Sequence, residues 1–319
     1  MKRILVVRND RFGEFLLNIP AFRALKETFP QARLTAVTSL YVKELAQCIE
    51  YLDEVIVWDN LKHKIGEILN FTKSIKNKFD LCVIFNPTKE FHLISFLSKI
   101  PIRVGYNRKW GFLLTHKMED KKFLGDKHEI EYNLDLVGLV GARTEDKSLS
   151  IKIDDDIIEE LFKELNIQSK DTLVALHPWT SDPIKQWPYE SFQKLTKRVA
   201  EEFKIKILII GGEEGVVKSQ HYFTGLGNNI INLTGKTTLK QLAVLLKKTQ
   251  LLVSGDSGPI HLASCVDTPV VAIFRNDIPA KSALRWGPRS KGSIILEKPN
   301  LSDITVEEVF NKVKEVLER

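Results

Sequence analysis

The chain has 319 residues, enough for about two domains on a prior of roughly 150 residues each. At 43% hydrophobic and 28% charged residues it reads as an ordinary globular protein without low-complexity stretches. Its formal charge of +6, from 47 Lys+Arg against 41 Asp+Glu, is too slight to single out nucleic acid as a partner, whereas an acidic small substrate or an anionic membrane face suits it equally well.

The apolar opening RILVV (3–7) gives way at once to RNDRFGE, too soon for a signal-peptide core. No segment reaches the ~18 apolar residues of a membrane span, so a cytoplasmic location is expected. Short β-branched runs then recur at 33–37, 54–58, 81–85 and 102–106, and again at 172–176, 205–210, 230–233, 251–254 and 270–274. Between them lie amphipathic segments such as FLLNIPAFRALKETF and YESFQKLTKRVAEEF. Apolar strands alternating with helices predict parallel sheets in an α/β fold. From 128 to 170 no strand pair is evident: EIEYNLDLVGLVGA and DDDIIEELFKELN read as helices, and the alternation resumes at Thr172. Two Rossmann-like halves joined near 150–170 are therefore expected. The closing ITVEEVFNKVKEVLER reads as a helix capped by Ser302 or Asp303. Cys48, Cys82 and Cys265 form no CxxC and no Cys/His cluster, so reduced, buried thiols are expected.

Ligands of open α/β sheets sit outside the carboxyl ends of the strands. Four polar or glycine-rich turns follow strands here: RNDRFGE, HPWTSDPIK, GGEEG and GDSGPIH. They suggest a cleft between the halves. In GDSGPIHLA, the glycines and Pro259 open a helix whose N–H groups would face an anion. Gly258 would admit a phosphate, Ser257 adds a hydroxyl, and His261 lies one turn in. The hydrolase elbow G-x-S-x-G is not matched, because the second glycine comes one place early. Plain capping by Asp256 or Ser257 stays open beside phosphate binding. In HPWTSDPIKQWP, Lys185 beside Thr180 and Ser181 reads either as a phosphate partner of point-charge type or as an exposed surface lysine, and Trp187 as a packing residue. The first loop holds Asp10, Arg11, Gly13 and Glu14, with Glu14 either a general base or a complement to the helix dipole. The DDD run at 154–156 reads as a helix N-cap rather than a metal ligand set, so no metal is expected. The basic-aromatic RVGYNRKWGF (103–112) is too short by itself to make an RNA surface.

Taken together these blocks resemble glycosyltransferase family 9, the bacterial lipopolysaccharide heptosyltransferases. The resemblance rests on the opening R-N-D-R-F-G-E, on F-D-L-C-V-I-F-N, R-V-G-Y-N-R-K and H-P-W-T-S-D-P-I-K-Q-W-P, and on G-G-E-E and S-G-D-S-G-P-I-H-L-A, in that order. It implies a GT-B architecture, two Rossmann-like domains facing across a cleft. Residues 1–165 would bind the acceptor and 166–300 the nucleotide sugar, while 301–319 would form a helix packing back toward the first domain. It implies metal-independent transfer of heptose with inversion, from ADP-heptose to a lipid A/Kdo glycolipid. No cofactor beyond the nucleotide sugar and no nucleic-acid partner are expected, and the resemblance allows peripheral contact with the cytoplasmic face of the inner membrane. The donor diphosphate would meet Thr180, Ser181, Lys185, Asp256, Ser257, Gly258 and His261, and the adenosine Glu213 or Glu214. Glu14 stands where the family usually has its aspartate base. A second departure is Arg275, in A-I-F-R-N-D, where glycine-proline is common. Asp10, Arg11, Gly13, Arg103, Arg108 and Lys109 would serve the acceptor side. A nucleotide-sugar epimerase of the same architecture and a non-catalytic nucleotide-sugar-binding protein are the alternatives.

Overall fold

The computed structural model describes every residue except Ser169. The chain divides into two compact units, Met1–Lys152 and Ile153–Arg319. In the first, β1 (Arg3–Val7), β2 (Arg33–Thr38), β3 (Glu54–Val57), β4 (Leu81–Ile84), β5 (Ile102–Tyr106) and β6 (His116–Met118) form one sheet in the order β3-β2-β1-β4-β5-β6. Every pairing in it is parallel. In the second, β7 (Leu173–His177), β8 (Lys206–Ile209), β9 (Ile230–Asn232), β10 (Leu251–Gly255), β11 (Val270–Arg275) and β12 (Ile294–Lys298) form the order β12-β11-β10-β7-β8-β9, again all parallel. Read from the β9 edge, the second sheet has the winding of the first. This is the α/β class expected from the sequence, built twice.

The central strands are apolar end to end because helices cover both faces of each sheet. Ile4 to Val7, Leu81 to Ile84 and Leu173 to Leu176 are all buried. In each winding the chain reverses direction beside the first strand, between β1 and β4 and between β7 and β10. Crevices open at the carboxyl ends of strands at such switch points.

Three expectations are corrected. The boundary falls after Lys152, so residues 153–165 belong with the second unit; Asp155 there pairs with Lys247 and Lys248 at 2.8 and 2.6 Å. The closing helix Val306–Leu317 packs into the core of its own unit through Val309, Phe310 and Val313. Trp187 donates to Ile304 O at 2.9 Å just before that helix, in keeping with its expected packing role. Its cap is neither Ser302 nor Asp303 but Thr305, in a capping box with Glu308. Asp154 accepts from Asp156 N, so the DDD run does start a helical turn. All three cysteines are buried thiols. Among the described residues no helix is long and apolar enough to cross a membrane.

Candidate active site

In the first unit the switch point is lined by Arg8 and Asn9, directly after β1. Arg8 is 3% exposed, and its guanidinium gathers three carboxylates. Nε donates to Asp10 Oδ1 at 2.8 Å, Nη2 donates to Glu14 Oε2, and Nη1 lies 3.9 Å from Glu129 Oε1. Glu129 is itself buried and pairs with Lys122. A buried guanidinium with this many charged partners fixes their geometry, because leaving one unpaired is costly. Glu14 is therefore oriented, while a quarter of its side chain stays exposed. Its helix, Phe12–Leu16, is only five residues long and offers little dipole to complement. A positioned, partly exposed carboxylate of this kind can take a proton from a hydroxyl brought to it.

The neighbouring loops close around this point. Asn9 donates to Trp58 O at 2.9 Å, and Trp58 Nε1 to Glu90 Oε1 at 2.6 Å. The His63 ring stacks on Trp58 at 4.0 Å, with Nδ1 3.1 Å from Glu90 Oε1.

In the second unit His177 ends β7 and is buried. Burial pushes its pKa down to about 3, so the ring is neutral at physiological pH. Its Nδ1 lies 3.0 Å from Ser257 Oγ and 3.3 Å from Ser254 Oγ, with the two hydroxyls 2.9 Å apart. Ser257 occupies the N-cap position of the helix Gly258–Cys265, yet its side chain makes no cap bond. Its hydroxyl turns to His177 instead, so plain capping by Ser257 is not what the structure shows. Asp256 pairs with Lys185 Nζ at 2.5 Å, both side chains mostly buried. His261 is buried on the same helix, its ring 6.4 Å from that of Trp286.

The segment carrying Thr180, Ser181 and Lys185 is pinned over β10 and β11. Arg275 Nη1 donates to Ile184 O at 3.0 Å, and Lys281 pairs with Asp182 at 2.6 Å. The Lys281 ammonium, by its hydrogen bond, holds the Asp182 carboxyl below its ordinary range. A Cβ on Gly255 would lie 3.4 Å from Lys185 O, so the backbones approach closely there. Arg275 thus acts on the loop as a tether. Thr180 Oγ1 accepts from Asp182 N at 3.2 Å, while Ser181 is exposed.

The structure brings Lys185, Asp256, Ser257, Gly258 and His261 to one switch point, with Thr180 and Ser181 on the pinned loop. Glu213 and Glu214 follow β8 on the same edge and are exposed. In the other unit Asp10, Arg11, Gly13 and Glu14 follow β1, and Arg108 and Lys109 follow β5 on that edge. Arg108 pairs with Asp120 and Lys109 donates to Pro87 O, each at 2.6 Å. Arg103 is not brought to them. It is the second residue of β5, near the opposite edge, and its guanidinium is engaged by Leu113 O and Ile100 O at 2.8 and 2.6 Å. Sequence reasoning missed Arg8 and His177. The available signal was a polar residue directly after an apolar strand, at the first position of a site loop.

The model of the family described as glycosyltransferase family 9 (heptosyltransferase) matches residues 68–313. The chain is 23% identical over 288 residues to lipopolysaccharide heptosyltransferase 2 of Salmonella typhimurium, covering 85% of this chain and 82% of that protein. Among solved structures, a family 9 glycosyl transferase from Veillonella parvula matches with TM-score 0.88 at 21% identity, over 100% of this chain and 98% of that one. E. coli ADP-heptose LPS heptosyltransferase II matches with TM-score 0.86 at 19% identity, over 100% and 99%. The two doubly wound sheets are thus those of the GT-B class, and the chain belongs to glycosyltransferase family 9, the heptosyltransferase family.

Proposed function

We propose that the protein transfers heptose from ADP-heptose, with inversion, to a hydroxyl of an anionic lipopolysaccharide inner-core glycolipid at the cytoplasmic face of the inner membrane. The observation that carries this reading is the pair of switch points: an oriented carboxylate at one, and a lysine beside a helix start at the other. The acceptor oxygen attacks the anomeric carbon as the bond to the diphosphate oxygen breaks. The acceptor proton passes to Glu14. Charge growing on the leaving ADP falls to Lys185 and the amide end of the helix at Gly258, with Thr180, Ser181, Ser257 and His261 as neighbours. Asp256 holds Lys185 in place until the diphosphate arrives. Adenosine belongs near Glu213 and Glu214, and the acceptor near Asp10, Arg11, Gly13, Arg108 and Lys109. The names of the Salmonella and E. coli relatives support this donor and acceptor.

The test is a thermal-shift panel of ADP-, UDP- and GDP-sugars, followed by transfer assays on Kdo-bearing lipid A. A native-state ligand raises stability with its occupancy, so ADP-heptose should shift the transition most. Glu14→Gln should lower kcat by roughly 10²–10⁴ with the fold intact. No shift with any ADP-sugar sinks the donor assignment, and full turnover in Glu14→Gln sinks the base. Product formed from donor alone would instead indicate an epimerase.

A further inference from the structure

The exposed apolar side chains of the first unit are concentrated at one edge of its sheet. Leu40 and Tyr41 follow β2, Leu61 and Ile65 follow β3, and Phe123 follows β6. Leu61, Ile65 and Phe123 are 72%, 76% and 69% exposed. Because all six strands are parallel, these loops share the carboxyl edge, the edge that also carries Glu14. Contacts join the loops to one another. Leu40 N donates to Asp59 Oδ1 at 2.8 Å, Phe12 meets the Tyr41 ring edge-on at 6.2 Å, and Arg108 pairs with Asp120.

Each exposed apolar tip has cations beside it in sequence. Lys43 follows Tyr41, Lys62 and Lys64 lie between Leu61 and Ile65, and the exposed Lys121 stands two places before Phe123. Protein interfaces deplete lysine, whereas apolar tips flanked by lysines suit a bilayer surface. There the tips reach the acyl boundary and the ammonium groups meet anionic headgroups, each cation contributing through the surface potential.

We infer that this carboxyl edge is a membrane-docking face that seats the first unit on an anionic lipid surface. The inference deepens the glycolipid-acceptor reading and rests on it for its purpose. Docking this way sets Glu14, on the same edge as the apolar tips, at headgroup level. A sugar projecting from the bilayer then reaches the base while its lipid stays in place.

The experiment is co-sedimentation with vesicles of phosphatidylethanolamine and phosphatidylglycerol, and with phosphatidylcholine vesicles alone. The wild-type chain should partition to the anionic vesicles, less so at high salt. The variant Leu61→Ser/Ile65→Ser/Phe123→Ser should lose roughly tenfold or more of that partitioning. The control Phe96→Ser/Leu97→Ser, at the far end of the helix Lys89–Leu97, should bind like wild type. Wild type that ignores anionic vesicles overturns the proposal, as does a serine variant that binds undiminished or a control that falls equally far. ADP should give the same thermal shift in all three proteins, which checks the fold and the donor side separately. Absence of that shift in wild type, with vesicle binding intact, defeats the transfer reading and leaves the docking face standing.

Discussion

Glu14 and Lys185 each owe their placement to an ion-pair neighbour. Lys185 is held by Asp256 at 2.5 Å, which keeps a point charge on station beside the helix start. On the proposed mechanism Lys185→Ala should cost roughly 10²–10³ in kcat, and it should lower the melting temperature as well, because it leaves the mostly buried Asp256 carboxylate without its ammonium. His177 has a different part: it positions Ser257 through neutral hydrogen bonds and touches no charge. Donor affinity should fall in both His177→Phe and Ser257→Ala, and the double variant should be no weaker than the worse single, as a double-mutant cycle on ADP binding would show. The same ring makes the fold acid-sensitive, together with His92, which burial pushes down to about 4. Both folded pKa values lie below the ~6.5 of a free imidazole. As pH falls from about 6.5 toward 4, the unfolded chain takes up protons that the folded one refuses. Stability is therefore full above that window and declines through it, by up to ~1.4 kcal/mol per group for each pH unit. Urea titrations at pH 7 and pH 5 check this, and His92→Phe should flatten the slope.

At the scale of elements, local chemistry sets the ends and tertiary contacts set the shapes of the loops. The closing helix starts at Thr305, whose Oγ1 accepts from Glu308 N at 3.1 Å. Glu308 in turn has its carboxyl held down to about 2, by Lys298 first and then by Thr305. Thr305→Ala should lower stability by about 1 kcal/mol in denaturant titration. The turn after β8 is shaped by a ring rather than by a cap: a Cβ on Gly211 would sit 2.2 Å from Trp179. Gly211→Ala should displace that indole and cost about 1–3 kcal/mol, read as a lower melting temperature and a shifted tryptophan emission. The strands missed from sequence are both edge strands. β6 is three residues, His-Lys-Met, without an apolar run, and β12 alternates between exposed and half-buried positions. Each is a strand because a neighbour supplies the ladder, and neither has enough apolar pattern to announce itself.

On the scale of the whole molecule, the two units have separate cores and carry separate reporters: Trp58 and Trp110 in the first, Trp179, Trp187 and Trp286 in the second. The closing helix contributes Val309, Phe310 and Val313 to the second core. Removing residues 305–319 should therefore destabilise the second unit and leave the first near its original stability. Single-tryptophan versions retaining Trp58 or Trp187 would separate the two transitions, and a matching loss at Trp58 would contradict this assignment.

Periodicity alone was enough to determine the α/β class, ten of the strands and the position of the site loops, because buried parallel strands must be apolar and their carboxyl ends must be polar. The motifs around Glu14, Lys185 and Ser257 were legible for the same reason: each sits directly after such a strand. What only the tertiary structure decided is which polar groups meet. Arg8 reaches Glu129 across 121 positions of sequence, and His177 reaches Ser257 across 80. Arg103, expected on the acceptor side, is folded away on the carbonyls of its own unit. Separations of this kind leave no trace in local pattern, since sheet winding, not sequence spacing, brings the strand ends together.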